Sequence, residues 1–302
     1  MLKKLFCLFL ALTLIFSFAA CDDKDSDDWD DEDEEALEEE TTSFTAPLEF
    51  EEQIIAETDE YLVKVKSIQV KENEWASSDY TLNLYFENNT DKTLYFDIDG
   101  GVVNDVSIPS YFQVELPAGK KANESLSLDT YLMEMAGITQ VTKVLLLLEP
   151  SYYNEEEGTT ALPAEHVAIY PEGPDAYTPY VHTPAKEEVL FYDGDDFTIR
   201  ILDVIEDDGG TYCLKVYFYN KTEDSFDIFL SNSAFNDYLM DDAGYWNTCI
   251  YPESHVVHEI TWDRNLLEEN DIETVDKIWL QFDFELLHTW DHTTVENEFD
   301  TF

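Results

Sequence analysis

Two imidazoles and a carboxylate near the C-terminus have the chemistry of a transition-metal site. His288, Asp291 and His292 fall within one short stretch, and zinc and related ions are bound by nitrogen and oxygen ligands of this kind. The alternative is a turn made of ordinary polar residues. His255 and His258 form a weaker pair, because a separation of three residues places their side chains on opposite faces of a strand.

Clustered carboxylates could offer oxygen ligands to calcium. Neither of two acidic clusters follows the spacing of the EF-hand loop, so any calcium binding there would be weak. The alternative is that both are acid-rich hairpin tips of an acidic protein. The clusters are Asp193, Asp195 and Asp196, and Asp97 and Asp99 beside Gly100.

Aromatic rings in loops or at predicted outward-facing strand positions are the third candidate for a functional site. Flat rings on a surface can stack on sugars or anchor a protein partner, whereas rings on a sheet face can instead pack across strands or between domains. The candidate ligand surface comprises Trp75, Tyr80, Tyr85, Tyr245 and Trp246, with Tyr95 as a further ring of this kind.

Motifs that mark known catalytic sites are missing from the sequence. It contains no Gly-x-Ser-x-Gly turn, phosphate-binding loop, dinucleotide fingerprint, His-Glu-x-x-His or Cys-x-x-Cys. Because some active sites assemble from scattered residues, this absence is only a partial argument against an enzyme. The sequence predicts a non-catalytic protein without a cofactor.

The N-terminus is typical of an export signal. Lys3 and Lys4 precede an apolar run over 5–18, and two alanines lead to Cys21. The run is shorter than the roughly 20 residues of a membrane span. These features predict a signal peptide over 1–20, with an uncleaved anchor as one alternative.

The residues Phe18-Ala19-Ala20-Cys21 resemble the lipobox of bacterial lipoproteins, in which signal peptidase II cuts before a diacylated cysteine. The resemblance implies that Cys21 is the lipidation site and that the protein is anchored at the extracytoplasmic face of the cell membrane. Phe18 stands where these proteins usually have leucine. An ordinary secretory signal with an incidental cysteine is the alternative.

An acidic block follows the lipobox, interrupted by Lys24, Ser26, Trp29, Ala36 and Leu37 and closed by a short Thr-Thr-Ser run. Densely packed like charges repel, and so little apolar surface cannot offset the entropy cost of folding. We therefore expect a disordered acidic tether over 21–45 that holds the folded part away from the bilayer. A docking site for a cation or a basic protein is the alternative.

The composition limits the partners and suggests the number of domains. The chain has 302 residues and a formal net charge of -52, which argues against nucleic acid because that partner requires lysine and arginine to neutralise phosphates. Hydrophobic residues make up 44% of the chain, enough for a core. The length left after the tether fits two domains, expected at 46–184 and 185–302.

Two cysteines, Cys213 and Cys249, lie outside the signal and the lipobox. An exported protein permits a disulfide between them. Cys213 alternates with Leu214, Val216 and Phe218, so its side chain should point away from the core face. This alternation argues against a disulfide, but the sequence alone does not decide whether one forms.

The chain repeats itself at a nearly constant offset, which predicts an internal duplication of one domain rather than a short solenoid repeat. Three blocks correspond in the same order: 61–70 with 197–206, 84–93 with 216–225, and 126–144 with 260–278.

Within each copy the pattern predicts strands and turns. Leu82, Leu84 and Phe86 face one way while the residues between them face the other, which is the period of a half-buried strand. Asn88 and Asn220 open sequences rich in turn-forming residues. Both also match a glycosylation sequon, but a bacterial lipid signal favours the turn interpretation.

A short helix is expected late in each copy, at 131–136 and 266–270, with Asp129 and Asp263 as caps. Short strands at regular intervals with one late helix favour an antiparallel sandwich. The predicted fold is therefore all-β: two tandem immunoglobulin-like antiparallel β-sandwich domains, each with one short helix, after a signal peptide and a disordered acidic tether.

Three elements besides the lipobox resemble a known group of proteins: the segments 85–90 and 116–123 and the pair Gly137-Ile138. They are similar to uncharacterised extracytoplasmic lipoproteins of clostridia and related low-GC Gram-positive bacteria that carry immunoglobulin-like domains. The second copy keeps the asparagine turn at Asn220 but has a different sequence at 251–254. The resemblance implies a fold and a location but no activity.

The sequence thus predicts a lipid-anchored, non-catalytic binding or interaction module. The expected partners are the membrane, through lipid on Cys21, and a glycan or protein ligand at the cell surface. Two alternatives are a surface glycan hydrolase, which would need two carboxyl groups across a cleft, and a calcium-binding envelope protein.

Overall fold

A computed structural model describes residues 44–72, 78–154, 158–206, 211–240, 246–287, 289 and 291–301. These residues form antiparallel strands in sandwich-like layers, with two short α-helices, so the predicted all-β class is confirmed. Residues 42–302 form one compact unit. The signal peptide, Cys21 and nearly all of the predicted tether lie outside the described residues. None of the helices described is long and apolar enough to cross a membrane.

The first sandwich consists of two facing sheets. The order of one sheet is β1-β2-β3-β6, and the other contains β5-β4-β7 with β8 and β9 beside β7. The elements are β1 Gln53–Glu57, β2 Tyr61–Glu72, β3 Ser78–Asn88, β4 Leu94–Val103, β5 Val106–Leu116, β6 Lys121–Asp129, α1 Thr130–Met135, β7 Val144–Asn154, β8 Gly158–Ala161 and β9 Glu165–Ile169.

The second sandwich follows a 3-10 turn at Pro174–Ala176 and has the same arrangement. One layer has the order β10-β11-β12-β16, and the other is β14-β13-β17-β18 with β15 also on β13. The elements are β10 Val189–Asp193, β11 Phe197–Glu206, β12 Thr211–Asn220, β13 Phe226–Phe235, β14 Tyr238–Leu239, β15 Asn247–Ile250, β16 His255–Asp263, α2 Arg264–Glu269, β17 Lys277–Leu286 and β18 His292–Asp300.

Small irregularities recur in both sandwiches. The register of β2 against β3 shifts between Val65 and Ser67, and that of β11 against β12 shifts between Ile201 and Asp203. Both α-helices begin at the predicted aspartate caps, where Asp129 Oδ1 accepts from the N–H of Tyr131 at 2.8 Å and Asp263 Oδ1 from that of Asn265 at 2.9 Å.

The asparagine turns are structural. Asn88 is 1% exposed and Asn220 is fully buried. The Asn88 Nδ2 donates to the carbonyls of Lys92 and Leu116 at 2.8 and 2.9 Å, and the Asn220 Nδ2 donates to those of Asp224 and Tyr251 at 2.7 and 2.9 Å. The same amide thus satisfies two backbone acceptors in each sandwich, in agreement with the predicted turns.

Alternating residues fill a core in each sandwich. Leu82, Leu84 and Phe86 are completely buried in the first core, as their alternation predicts. A separate cluster forms the second core. Tyr217 and Val257, which belong to strands of the second sandwich, are nevertheless part of the first cluster.

A junction connects the two sandwiches through backbone and side chains. Strands β5 and β16 pair in parallel at Val106 and His255, which joins one layer of each sandwich into a nine-stranded sheet. Beside this pair, the hydroxyls of Ser107 and Ser254 are 2.6 Å apart and both residues are buried. The Ser107 hydroxyl also accepts from the N–H of Tyr251 at 3.0 Å.

Candidate functional site

The outward face of β2, β3 and β6 carries a polar surface centred on Tyr85. The strand register places Lys64, Tyr85 and Asn123 side by side in one row and Ser67, Asn83 and Ser125 in the next. Lys66 occupies the bulge beside the first row, and Lys121 is the first residue of β6. We call these eight residues the Tyr85 platform.

The ring of Tyr85 lies between cationic and anionic groups. The ammonium nitrogens of Lys64 and Lys66 lie 6.0 and 5.9 Å from its centroid, at the outer limit of a cation–π contact. Its hydroxyl donates to Glu87 at 2.7 Å, and Lys121 pairs with the same carboxylate at 2.9 Å. Together the Tyr85 hydroxyl and the Lys121 ammonium lower the pKa of Glu87 from its ordinary value.

The second row is held in place by its own hydrogen bonds. The Asn83 Nδ2 donates to the Ser67 hydroxyl at 3.0 Å, and the Ser125 hydroxyl donates to the Asn83 Oδ1 at 3.0 Å. Both acceptors retain lone pairs that can bind a ligand. These fixed polar groups lie next to an aromatic ring and so form a flat surface with hydrogen-bonding capacity.

Neither row contains a carboxylate, although the chain has 68 acidic residues against 16 lysines and arginines. Two acids border the rows. Glu87 accepts from the Tyr85 hydroxyl and pairs with Lys121, and Glu52 pairs with Lys64 at 2.7 Å. Lys66 and Lys121 are exposed. The two rows are therefore free of acidic side chains on a strongly anionic molecule, while Lys64 and Lys121 are paired with the acids that border them.

The corresponding face of the second sandwich is covered. The register places Arg200, Tyr217 and Val257 side by side across β11, β12 and β16, which matches the row of Lys64, Tyr85 and Asn123. Tyr217 is only 4% exposed.

Two elements cover it: the first sandwich, whose core includes Tyr217 and Val257, and the segment 177–188, which we call the strap. The strap's His182 ring stacks on Tyr217 with centroids 4.2 Å apart and planes at 22°. His182 Nε2 lies 2.9 Å from the Glu188 carboxylate, which is 3.8 Å from Arg200.

The strap is also tied to the first sandwich. The N–H of Tyr180 donates to the carbonyl of Asn104 at 2.8 Å, and the Tyr177 hydroxyl donates to the Asp105 carboxylate. Lys143 pairs with Asp105 at 3.2 Å. A groove of about 420 Å³ runs along this part of the strap, lined in part by Thr142, Tyr180 and His182.

His255 lies at the centre of the junction. Its Nδ1 is 2.7 Å from the Tyr217 hydroxyl, and its ring packs on Tyr219 and Tyr180 with centroids 4.4 and 4.9 Å away. Burial lowers the pKa of His255 to about 4, assisted by His182 and opposed by the charge of Asp105. The imidazole is therefore neutral near pH 7.

None of the described residues of the predicted ligand surface is fully exposed, and Tyr85 is half-buried. The prediction that Tyr80 is exposed is wrong: the residue is 1% exposed, because β3 begins at Ser78 and places Tyr80 on the same inward face as Leu82. Trp246 is half-buried, and its Nε1 donates to the carbonyl of Glu259 at 3.0 Å. Tyr95 is half-buried on β4. Trp75 and Tyr245 lie outside the described residues.

The predicted metal ligands have other roles where they are described. Asp193 pairs with Lys221 at 2.7 Å and accepts from the Thr198 hydroxyl at 2.9 Å, in the turn that also holds Asp195 and Asp196. Asp291 and His292 are exposed at the start of β18, while His288 lies outside the described residues. Within the described part of the chain, no three His, Cys, Asp or Glu side chains converge on a metal position.

The second acidic cluster is not the hairpin tip that the sequence predicts. Asp97 and Asp99 lie within β4, where the register shifts beside Gly100. The two cysteines lie on different sheets, Cys213 buried on β12 and Cys249 half-buried on β15.

Sequence reasoning identified Tyr85 but missed the rest of its platform. Lys64 and Lys66 were hidden because a bulge breaks the simple alternation of β2, and Lys121 and Asn123 stand in a segment that has the composition of a turn. The useful signal was the correspondence of residues 61–70 with 197–206 and of 84–93 with 216–225, which aligns Lys64 with Arg200 and Tyr85 with Tyr217.

No protein-family model and no curated protein matches the chain. Among solved structures, it is similar to a transglutaminase of red sea bream, with 11% identity and a TM-score of 0.22 over 78% of this chain and 30% of that one. It is also similar to the exo-chitosanase CsxA of Amycolatopsis orientalis, with 10% identity and a TM-score of 0.20 over 76% and 26%. The chain spans less than a third of either enzyme, and likenesses this distant carry no argument about function.

Proposed function

We propose that the protein is a lipid-anchored, non-catalytic binding module at the extracytoplasmic face of the cell membrane. Lipid on Cys21 would hold it there, and the acidic tether 21–45 would keep the sandwiches away from anionic headgroups. The resemblance to lipoproteins of low-GC Gram-positive bacteria supports this location. Matching strand orders and bulges support two tandem domains, 46–184 and 185–302, that arose by duplication.

The Tyr85 platform is the observation that supports a binding role most directly. It combines a partly exposed ring, two lysines near that ring and a fixed row of amide and hydroxyl groups, with no carboxylate in either row. Such a surface offers stacking, hydrogen bonds and charge to one ligand. Because the platform is built on paired strands, it is held rigidly and would lose little entropy on binding.

Binding can be tested on an array of surface glycans and proteins, probed with the full chain in detergent. We expect at least one ligand to bind and Tyr85→Ala to remove most of that binding. Tyr153→Ala is the matched control, because Tyr153 is 60% exposed on β7 in the other sheet. Absence of any ligand, or equal losses in both variants, would exclude the platform as the binding site.

The anchor has a separate test. Cys21→Ser should move the full chain from the membrane fraction into the medium, since a single modified cysteine supplies the lipid. Retention of this variant on the membrane would contradict lipid anchoring at Cys21.

A further inference from the structure

We propose that the second sandwich carries a docking surface for a second copy of this chain, formed by the hairpin turn at Asn236-Asp237 and the exposed residues of β14. The partner copy brings the edge strand of its first sandwich, β6. This inference goes beyond the proposed function, because it concerns contacts between copies and its test requires no ligand. It is drawn from the junction, in which one sandwich already receives a strand of another.

The receiving half of the junction is the hairpin between β4 and β5. The N–H of His255 donates to the carbonyl of Asp105 at 2.9 Å, and Val106 pairs with His255 in parallel. Val106 and Ser107, the first two residues of β5, are 1% and 3% exposed. The end of this hairpin is therefore closed by β16 of the second sandwich.

The second sandwich repeats this hairpin. The backbone φ is +49° at Asn104 and +73° at Asp105, and it is +48° at Asn236 and +73° at Asp237. The Oδ1 of each asparagine accepts from the backbone N–H of an equivalent lysine at 3.0 Å. The two turns are thus built alike, so they present their following strands in the same way.

The strand after the repeated turn is exposed. In both hairpins the residue after the two-residue turn pairs with the residue before it, so Tyr238 and Leu239 occupy the positions of Val106 and Ser107. Tyr238 and Leu239 are 51% and 54% exposed. Within the described residues, β14 pairs only with β13, whereas β5 pairs with both β4 and β16. The second sandwich therefore repeats the receiving hairpin without the strand that closes it.

The strand that corresponds to β16 is β6 of the first sandwich. Lys121 lies opposite Glu87 on β3, as His255 lies opposite Tyr219 on β12. In both sandwiches the preceding carbonyl accepts from the N–H of the buried turn asparagine, at 2.9 and 3.0 Å. Among the strands described, β6 pairs only with β3, whereas β16 also pairs with β5. The edge of β6 is thus equivalent to the one that β16 uses in the junction.

Two copies of the chain can repeat the junction between them. The edge of β6 in one copy then meets β14 of the other, with Lys121 opposite Tyr238. Because the two surfaces differ, the contact is head to tail and leaves one surface of each kind unused. Further copies can add at either end.

The receiving turn offers a carboxylate to the incoming strand. In the first sandwich, Asp105 pairs with Lys143 at 3.2 Å. The equivalent lysine of the second sandwich, Lys277, instead pairs with Glu298 at 3.3 Å. Asp237, the counterpart of Asp105, is exposed. A cation from another molecule can therefore reach the carboxylate of Asp237.

The start of β6 supplies such cations. Lys120 and Lys121 are both exposed, and lysine stems can pack on apolar side chains such as Tyr238 and Leu239 while their ammonium groups stay at the carboxylate of Asp237. This complementarity favours β6 over another edge strand, β18, which is acidic. The exposed acids of β18 are Glu296, Glu298 and Asp300.

The net charge of -52 makes two copies repel each other at a distance. At physiological salt, interactions between exposed charges are largely screened beyond about 8 Å. The groups that meet across β6 and β14 lie within that distance, so their local complementarity decides whether the copies associate.

Disulfide cross-linking between two differently tagged forms of the full chain in detergent tests the register. One form carries Lys121→Cys and the other Tyr238→Cys. Opposed residues on paired strands lie about 5 Å apart, within the Cα separation that a disulfide spans. Mild oxidation of the mixture should therefore give a covalent dimer that carries both tags.

Tyr153→Cys replaces Tyr238→Cys in the matched control, because Tyr153 is also an exposed tyrosine, at 60%, and lies on β7. The mixed dimer should be at least tenfold less abundant with this form. Equal yields from the two forms, or no mixed dimer from either, would overturn the proposal. A Tyr238→Cys form that cross-links mainly with itself would indicate a symmetric contact between two β14 strands and would overturn the head-to-tail arrangement.

Sedimentation velocity of the full chain in detergent tests the same contact without a covalent bond. The average mass should rise with concentration for the unmodified chain and for Tyr153→Asp, and it should stay that of one copy for Tyr238→Asp. Both substitutions place a carboxylate at an exposed tyrosine, and thermal unfolding checks that both variants are folded. A mass that does not change with concentration in the unmodified chain, or that rises equally in Tyr238→Asp, would contradict docking at β14.

Discussion

Gly100 lies against Tyr251 of the second sandwich. Its φ is +83°, a conformation that favours glycine, and a Cβ placed there would lie 1.7 Å from the Tyr251 hydroxyl. Tyr251 is 9% exposed and its N–H is bonded to Ser107, so the ring has little room to move away. The absence of a side chain at this position is therefore a condition for the junction to form.

Replacing Gly100 by alanine should lower the free energy of unfolding more than the same replacement at a glycine that has a similar φ but open space around it. Gly137 has a φ of +76° and open space to 4 Å around the position that a Cβ would occupy. We expect Gly137→Ala to lower the free energy of unfolding by about 1 kcal/mol, the cost of the left-handed backbone. Gly100→Ala should lower the free energy of unfolding by about 2 kcal/mol more, because its methyl group would also overpack the contact with Tyr251.

Denaturant titrations of both variants measure these losses. A Tyr251→Leu background is the control, since removal of the phenol should narrow the gap between the two glycine substitutions. Equal losses for Gly100→Ala and Gly137→Ala in the unmodified background would show that the Tyr251 ring can move aside without lowering the free energy of unfolding.

The sequence could not reveal this role of Gly100. Locally, Asp97-Ile98-Asp99-Gly100 has the composition of a turn, and the side chain that excludes a Cβ belongs to the other half of the chain. Asn88 and Asn220 were predictable because their turns are local and the same turn occurs twice. Predictability at the residue scale thus depends on whether the deciding contact is close in sequence.

At the scale of elements, alternation correctly predicted which faces of the strands form the core. It did not predict whether their outer faces are exposed or covered. Leu82, Leu84 and Phe86 are buried, as their spacing predicts. Tyr85 and Tyr217 have the same local pattern, yet one is partly exposed and the other is covered by the strap. Coverage depends on where the strap and the other sandwich pack, for which the sequence has no periodic signal.

The strap and β16 make the stability of the protein depend on pH through His255. Burial holds its folded pKa at about 4, below the ordinary value of 6.5. The unfolded chain therefore takes up a proton as the pH falls through 6.5, while the folded chain does so only near 4. The stabilisation that comes from keeping His255 neutral is fully present above pH 6.5. It is lost progressively as the pH falls to about 4, by about 3 kcal/mol in all.

Unfolding free energies at pH 7 and pH 4 test this expectation. His255→Gln removes the titration, so the unmodified chain should lose about 3 kcal/mol more than this variant over that interval. His166→Gln is the control, because His166 is exposed and should leave the pH dependence as it is. The carboxylates are the same in all three proteins, so the comparison reports on the imidazole. Parallel curves for the unmodified chain and His255→Gln would mean that His255 is not held neutral.

At the scale of the whole molecule, the two sandwiches have separate cores but shared contacts. Tyr217 and Val257 complete the first core from the second sandwich, and Tyr131 on α1 donates to Glu259 on β16 at 2.8 Å. The predicted domain boundary at 184/185 falls within the strap, which contacts both sandwiches. A flexible linker between independent domains would make no such contacts.

These shared contacts predict that residues 42–302 unfold in a single transition. Val257→Asp should disturb this coupling, because it places a carboxylate at a position that is 3% exposed and packed into the other sandwich's core. We expect a loss of about 3 kcal/mol or more and separation of the calorimetric transition into two. A control must show that the loss of coupling does not come simply from adding a charge to β16, and an exposed position on the same strand provides it.

Thr261→Asp provides that comparison, as Thr261 lies on the same outward face of β16 and is exposed. It adds the same charge to the same strand, so it should keep one transition with little change in midpoint. The ratio of calorimetric to van't Hoff enthalpy distinguishes the outcomes: a value near one for the unmodified chain and Thr261→Asp, and a higher value for Val257→Asp. Two transitions in the unmodified chain would instead mean that the sandwiches fold independently and that the junction only orients them, leaving the Tyr85 platform supported by the first sandwich alone.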